Sequence, residues 1–118
     1  MSYQEFQRAT LFFDSKDYAG AAEILTPIVE ADPSSRAAAE LLARSYFHSA
    51  QLGRAEQAFR RLIELDPGNG WAYEVLARTL ERRGEADQAA RYRKLARAMG
   101  EGGAEGAVYV VQAANLAD

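Results

Sequence analysis

The sequence predicts an all-α protein made of three copies of one helix-turn-helix unit, followed by a separate C-terminal tail. Two observations favour this fold class. Apolar residues recur at the spacing of a buried helix face, and the whole pattern returns at a constant interval along the chain. Pro33 and Pro67 mark this interval, and each follows an aspartate and a short apolar segment. Self-similarity at a fixed period of roughly 34 residues is typical of stacked repeats, in which each unit contacts its neighbours.

The second copy shows the internal pattern of the unit most clearly. Its first helix is predicted from Leu42, Ala43 and Tyr46, and its second helix from Ala55 and Phe59. These positions follow the three-and-four rhythm by which a helix buries one face. The residues that lie one repeat period before or after these positions are mostly apolar as well. The same two helices are therefore predicted in all three copies.

Polar or glycine-containing segments separate the predicted helices. The turn inside each copy is predicted at residues 15–17, 49–51 and 83–85. Pro33 and Pro67 begin the linkers between copies, because proline cannot continue a helix interior. Gly100 stands near the corresponding place in the third copy, where it suits a helix end. The predicted copies cover about residues 2–35, 36–69 and 70–101, which together form one repeat domain within residues 1–101.

The spaced pattern resembles the tetratricopeptide repeat family. That family's signature is a 34-residue helix-turn-helix with large, small, large, alanine, aromatic and proline positions in order. The second copy carries it at Leu42, Ala43, Tyr46, Ala55, Phe59 and Pro67, whereas Arg8 and Arg93 replace signature residues in the other copies. The resemblance implies a right-handed α-solenoid, with a concave groove along the first helices that commonly binds extended peptides.

The groove-lining side chains follow from this resemblance and the repeat period. Five of them are aromatic, and none matches the lysines and asparagines by which some relatives hold a chaperone's C-terminal carboxylate. The expected ligand is therefore a mainly apolar peptide, with two arginines available for its carbonyls or a carboxylate. Packing between repeats is the alternative for each aromatic, and the histidine is either a groove-edge or turn residue or a proton-linked switch. The predicted residues are Tyr3, Phe6, Thr10, Phe13, Leu41, Arg44, Phe47, His48, Trp71, Val75 and Arg78.

The C-terminal tail differs from the repeats in composition. Residues 102–106 are predicted to form a glycine-rich linker, and residues 107–118 an apolar segment. One interpretation is a capping helix over the third repeat, although Gly106 disfavours its first turn. The other is a peptide lying in the groove of its own chain or of a neighbour, because the valines at 108, 110 and 111 favour an extended backbone.

Composition excludes several function classes. The 118-residue chain has a formal net charge of −3, no cysteine and one histidine, which argues against nucleic-acid binding and against a metal site. No catalytic or cofactor motif is found, so we expect neither enzyme activity nor a cofactor. The sequence lacks a signal-like or membrane-spanning segment, which predicts a cytoplasmic location. The expected function is an adaptor for a protein or peptide partner; the alternative is a self-association module whose tail forms a capping helix or a dimer contact.

Overall fold

Six α-helices account for most of the protein in the computed structural model, which describes residues 3–100. Residues 3–100 contain no strand, which confirms the all-α prediction. The predicted linker at 102–106 and the apolar tail at 107–118 lie outside the described residues. The helices are α1 (Tyr3–Asp14), α2 (Tyr18–Ala31), α3 (Arg36–His48), α4 (Leu52–Leu65), α5 (Gly70–Arg82) and α6 (Ala86–Gly100).

The turn inside each helix pair has the same backbone geometry in all three copies. Lys16, Ala50 and Gly84, which occupy equivalent positions of the three copies, have φ angles of 67°, 60° and 82°. This left-handed conformation costs a non-glycine residue about 1–2 kcal/mol, so it occurs where the fold requires a tight reversal. The equivalent geometry shows that α1–α2, α3–α4 and α5–α6 are three versions of one unit.

Side-chain caps begin three of the helices. The Asp17 carboxylate accepts a 2.9 Å hydrogen bond from the backbone N–H of Gly20, at the start of α2. Ser35 and Asn69 cap α3 and α5 in the same way, each accepting from the N–H three residues later at 3.3 Å. Such caps satisfy donors that the first helical turn leaves unpaired. The short linkers through Pro33 and Pro67 therefore end in residues that start the next helix.

Small residues allow the helices to pack closely. Ala9, Ala43 and Ala77 on the first helices are fully buried, as are Ala21 and Ala55 on the second helices of the first two copies. Each helix packs on the next one along the chain, from α1 to α6. The core forms two clusters, one where α1 and α2 meet α3 and the other from α3 to α6. The chain is thus a helical-repeat solenoid, as the sequence predicted.

Candidate functional site

The most exposed part of the predicted groove lies on α1. An open depression of about 470 Å³ is lined by Tyr3, Phe6, Gln7, Thr10 and Leu11. Tyr3 and Leu11 are 71% and 69% exposed, so two large apolar residues meet the solvent in the same depression. Tyr3, Phe6 and Thr10 belong to the predicted groove set, and Leu11 does not. The sequence does contain a sign of Leu11, because the equivalent positions of α3 and α5 hold the small hydroxyl residues Ser45 and Thr79.

An aromatic cluster joins α1, α2 and α3 beside this depression. The ring of Phe13 meets Tyr18 edge-on at 5.0 Å and His48 edge-on at 5.8 Å. Tyr18 stacks on His48 with ring centroids 4.7 Å apart. The structure therefore brings Phe13 and His48, two members of the predicted groove set, into contact. Tyr18 was not predicted, although it directly follows the first turn and so lies beside residues at the ends of α1 and α3.

Arg44 lies beside this aromatic cluster and forms an ion pair with Glu40. Its guanidinium lies 4.9 Å from the centroid of the Phe13 ring, and its Nη1 is 3.8 Å from the Glu40 carboxylate. Burial raises the pKa of Glu40, and the positive charge of Arg44 lowers it by a smaller amount. Arg44 Nε is buried and has no hydrogen-bond partner among the described residues. The side chain is 27% exposed, so this donor lies just below the surface.

The structure places three other predicted groove residues in the core. Phe47, Trp71 and Val75 are only 4%, 2% and 0% exposed. Phe59 on α4 accounts for the burial of two of these residues. Its ring centroid lies 6.4 Å from that of Phe47 and 6.3 Å from that of Trp71, and both contacts are edge-on. Arg82 covers Phe47 from 5.0 Å. These residues do not form the exposed aromatic wall that was expected, and whether they contact a ligand stays a prediction.

The remaining predicted residues lie at the edges of these clusters. Leu41 is partly buried and packs on the first core cluster, which Phe6 and Phe13 also border. Arg78 is half-buried on α5. The pKa of Glu81 lies below its ordinary value mainly because of Arg93, and the charge of Arg78 adds to this effect. Trp71 Nε1 is a second buried donor without a hydrogen-bond partner among residues 3–100. The predicted groove is thus open at α1 and more closely packed towards α5.

Residues 3–100 contain no group of histidine and carboxylate side chains that could hold a metal ion. None of the six helices described above is long and apolar enough to cross a membrane.

The stacked helix pairs and the exposed apolar depression define a helical-repeat scaffold for protein interactions. A tetratricopeptide repeat model matches residues 6–70, and a second model of this repeat matches residues 58–91. The chain therefore belongs to the tetratricopeptide repeat family. No curated protein sequence matches it significantly.

Solved structures share this fold at low sequence identity. The type III secretion chaperone SycD of Yersinia enterocolitica, in complex with a peptide of the translocator YopD, superposes with a TM-score of 0.84 at 16% identity, covering 96% of this chain and 86% of that one. MamA from Desulfovibrio magneticus RS-1 superposes with a TM-score of 0.78 at 21% identity, covering 85% of this chain. The alignment spans only 56% of that MamA chain. At these identities the likeness shows the fold.

Proposed function

We propose that this protein is a scaffold that binds an extended, mainly apolar peptide along the first helices α1, α3 and α5. The observation that carries this proposal is the buried N–H of Arg44 Nε, which has no hydrogen-bond partner within residues 3–100. Buried donors nearly always have a partner, and each one without a partner calls for an explanation. A peptide backbone carries an acceptor carbonyl at every residue, so it can satisfy this donor. The proposed role is binding rather than catalysis, and the expected cytoplasmic location stays a prediction.

The α1 depression supplies the apolar contacts in this proposal. Tyr3, Phe6 and Leu11 present rings and a branched side chain beside a half-buried Thr10. Aromatic anchors that become buried on binding contribute much of the affinity at interfaces. Phe47, Trp71 and Val75 would support the groove from behind rather than line its surface. The SycD structure contains a peptide of YopD, and by analogy this supports a peptide ligand here.

The apolar segment at 107–118 is the first candidate ligand. Docking of this segment in the groove, of its own chain or of a neighbour, remains in competition with a capping helix over α6. Deletion of residues 102–118 separates the two. A large fall in the thermal midpoint, measured by circular dichroism, supports the capping helix. An intact fold that binds added peptide more tightly than the full chain supports groove docking.

The binding test uses a synthetic peptide with the sequence of residues 107–118. It is titrated into the deletion variant, and Trp71, the chain's single tryptophan, reports binding by its fluorescence. We expect Arg44→Gln to weaken binding by roughly ten- to a hundredfold, because a charge-assisted hydrogen bond contributes about 1.5–3 kcal/mol. Arg97→Gln, on an exposed position of α6, is the matched control. Equal affinities in the two variants would argue against the groove.

Self-association is the second candidate, and the exposure of Tyr3 and Leu11 favours it. A contiguous exposed apolar patch is a typical contact surface between proteins, and Tyr3 and Leu11 line the same depression on α1. We expect Leu11→Gln to abolish any rise in sedimentation mass with concentration. The tetratricopeptide fold would be unchanged, because the Leu11 side chain contributes little to the core. A constant monomer mass in the unmodified protein would exclude this candidate.

A further inference from the structure

A second open pocket lies where the first two repeats meet, between the second helices α2 and α4 and above α3. Its volume is about 280 Å³, and its walls are mainly apolar. None of its residues belongs to the predicted peptide groove. The lining residues are Val29, Ala39, Leu42, Tyr46, Arg54, Gln57, Ala58 and Arg61.

The repeat itself shows what fits this pocket. A step of one repeat period takes Ala39 to Tyr73 and Ala58 to Tyr92, which lie where the second and third repeats meet. These two rings stack there with centroids 6.3 Å apart and an interplanar angle of 30°. We call the contact between the first and second repeats the first junction and that between the second and third repeats the second junction. The first junction has only the methyl groups of Ala39 and Ala58 at these two positions. The fold therefore accommodates aromatic rings at this place, and the first junction leaves their space open.

The volume of the pocket is large enough for an aromatic ring. An apolar cavity of about 150 Å³ is enough to bind benzene. The pocket at the first junction exceeds that size, and Leu42 and Ala39 on its floor are almost fully buried. The Tyr46 hydroxyl lies 3.3 Å from the Thr26 hydroxyl, so one polar group is held at the pocket wall. An aromatic ring would find apolar contacts below and a hydroxyl at one side.

The rim of the pocket is basic, and here the two junctions differ again. Arg54 and Arg61 are exposed on α4, whereas Gln88 and Leu95 stand at the equivalent positions of α6. Arg54 Nη1 donates to the neutral side-chain amide of Gln51 at 2.8 Å and forms no ion pair within residues 3–100. Arg61 is paired with Glu64 at 3.1 Å. The Arg54 guanidinium is thus available for a carboxylate at the pocket edge.

We propose that this pocket binds an aromatic side chain of a partner protein that has a carboxylate next to it. The ring occupies the space that Tyr73 and Tyr92 fill at the second junction. The carboxylate pairs with Arg54 at the rim. This surface is separate from the groove along α1, α3 and α5, so the protein can hold a second partner segment while the groove is occupied.

The test uses the full chain and 3-(4-hydroxyphenyl)propionate, a small molecule with one aromatic ring and one carboxylate. Methyl NMR signals of Ala39 and Ala58 are followed during titration. We expect both to shift, and we expect the neutral amide of the probe to bind about two- to fivefold more weakly, as the loss of an exposed ion pair predicts. Arg54→Gln should cause the same loss for the acid and no loss for the amide. Arg97→Gln is the control and should change neither.

The double substitution Ala39→Tyr with Ala58→Tyr copies the second junction and should abolish binding. Circular dichroism shows whether this variant folds, and Arg54→Gln tests the proposal independently if it does not. Unshifted Ala39 and Ala58 signals would overturn the proposal, as would unchanged binding by the folded double variant. Binding only after Tyr109→Ala would identify the chain's own tail as the occupant. Binding that weakens with protein concentration would identify a second copy, and either result overturns a partner protein.

Discussion

Arg60 Nη1 donates a 2.7 Å hydrogen bond to the hydroxyl oxygen of Tyr92, and this bond joins the second helices of adjacent repeats. The same guanidinium lies 5.3 Å from the centroid of the Tyr92 ring and donates to Gln88 at 3.1 Å. Its Nε pairs with Glu56 on its own helix at 3.0 Å. One arginine on α4 therefore connects three side chains and links α4 to α6.

Loss of the Tyr92 hydroxyl should lower stability without disturbing the fold. We expect Tyr92→Phe to reduce the free energy of unfolding by about 0.5–1.5 kcal/mol, because the bond to Arg60 is lost while the ring contacts remain. Urea unfolding followed by circular dichroism measures the change. Tyr3→Phe is the matched control, since Tyr3 is exposed, and it should have no measurable effect. An unchanged free energy of unfolding for Tyr92→Phe would show that the bond between α4 and α6 contributes nothing.

Glu56 should make the protein less stable in acid. Burial alone would raise the pKa of Glu56, but hydrogen bonds from Arg83 and Arg60 outweigh burial and hold the pKa below its ordinary value of 4.5. The unfolded chain then binds a proton more readily than the folded chain. The stabilisation is fully present above pH 4.5 and is lost as the pH falls through the lower, folded-state pKa.

The substitution Glu56→Gln tests this directly. At pH 7 it should cost about 1–3 kcal/mol, because two hydrogen bonds with charged partners are weakened. The difference from the unmodified protein should shrink as the pH falls below 4.5. Urea unfolding at pH 7 and at several lower values gives both quantities. A cost that is constant over this range would contradict the proposed role of the carboxylate charge.

Glu40 should have the opposite dependence on pH. Burial raises the pKa of Glu40 above 4.5, and the smaller effect of Arg44 does not cancel the rise. The folded chain therefore binds the proton more readily, so stability decreases as the pH rises from 4.5 through the folded-state pKa. Glu40→Gln removes this dependence and should stabilise the protein at pH 7 relative to its effect at pH 4. The reverse order of the two effects would contradict the raised pKa of this partly buried carboxylate.

The repeat period predicted the fold because it depends on features local to each copy. Turn residues, proline linkers and buried alanines recur at fixed steps, and a repeat fold buries them in the same way each time. The site was predicted less completely. A helical wheel places Trp71 and Phe47 on the groove side, but it does not show that Phe59 from α4 packs between them. That contact joins different helices, so only the assembled structure reveals it.

Ala55, where α3 and α4 pack together, provides a stability test of the way in which the three copies are aligned with one another. Ala55 is fully buried in the larger core cluster. Ala55→Leu should destabilise the fold by about 1–3 kcal/mol, because the added side chain forces α3 and α4 apart. Ala90→Leu, on the exposed side of α6, is the control and should change stability by less than about 0.5 kcal/mol. Equal denaturation midpoints for the two variants would contradict the register.

Pro27 lies inside α2 and should limit the stability of the first repeat. Proline has no N–H to donate to the carbonyl of Glu23, and its ring crowds that carbonyl. Arg61 and Leu95 stand at the equivalent positions of α4 and α6, so the repeat does not require proline here. We expect Pro27→Ala to raise the free energy of unfolding by about 1–3 kcal/mol, less than the full helix-propensity difference because alanine leaves the unfolded chain more flexible. Pro33→Ala, in the linker after α2, should bring no such gain, and a thermal midpoint raised equally by both would show that the helix interior is not the cause.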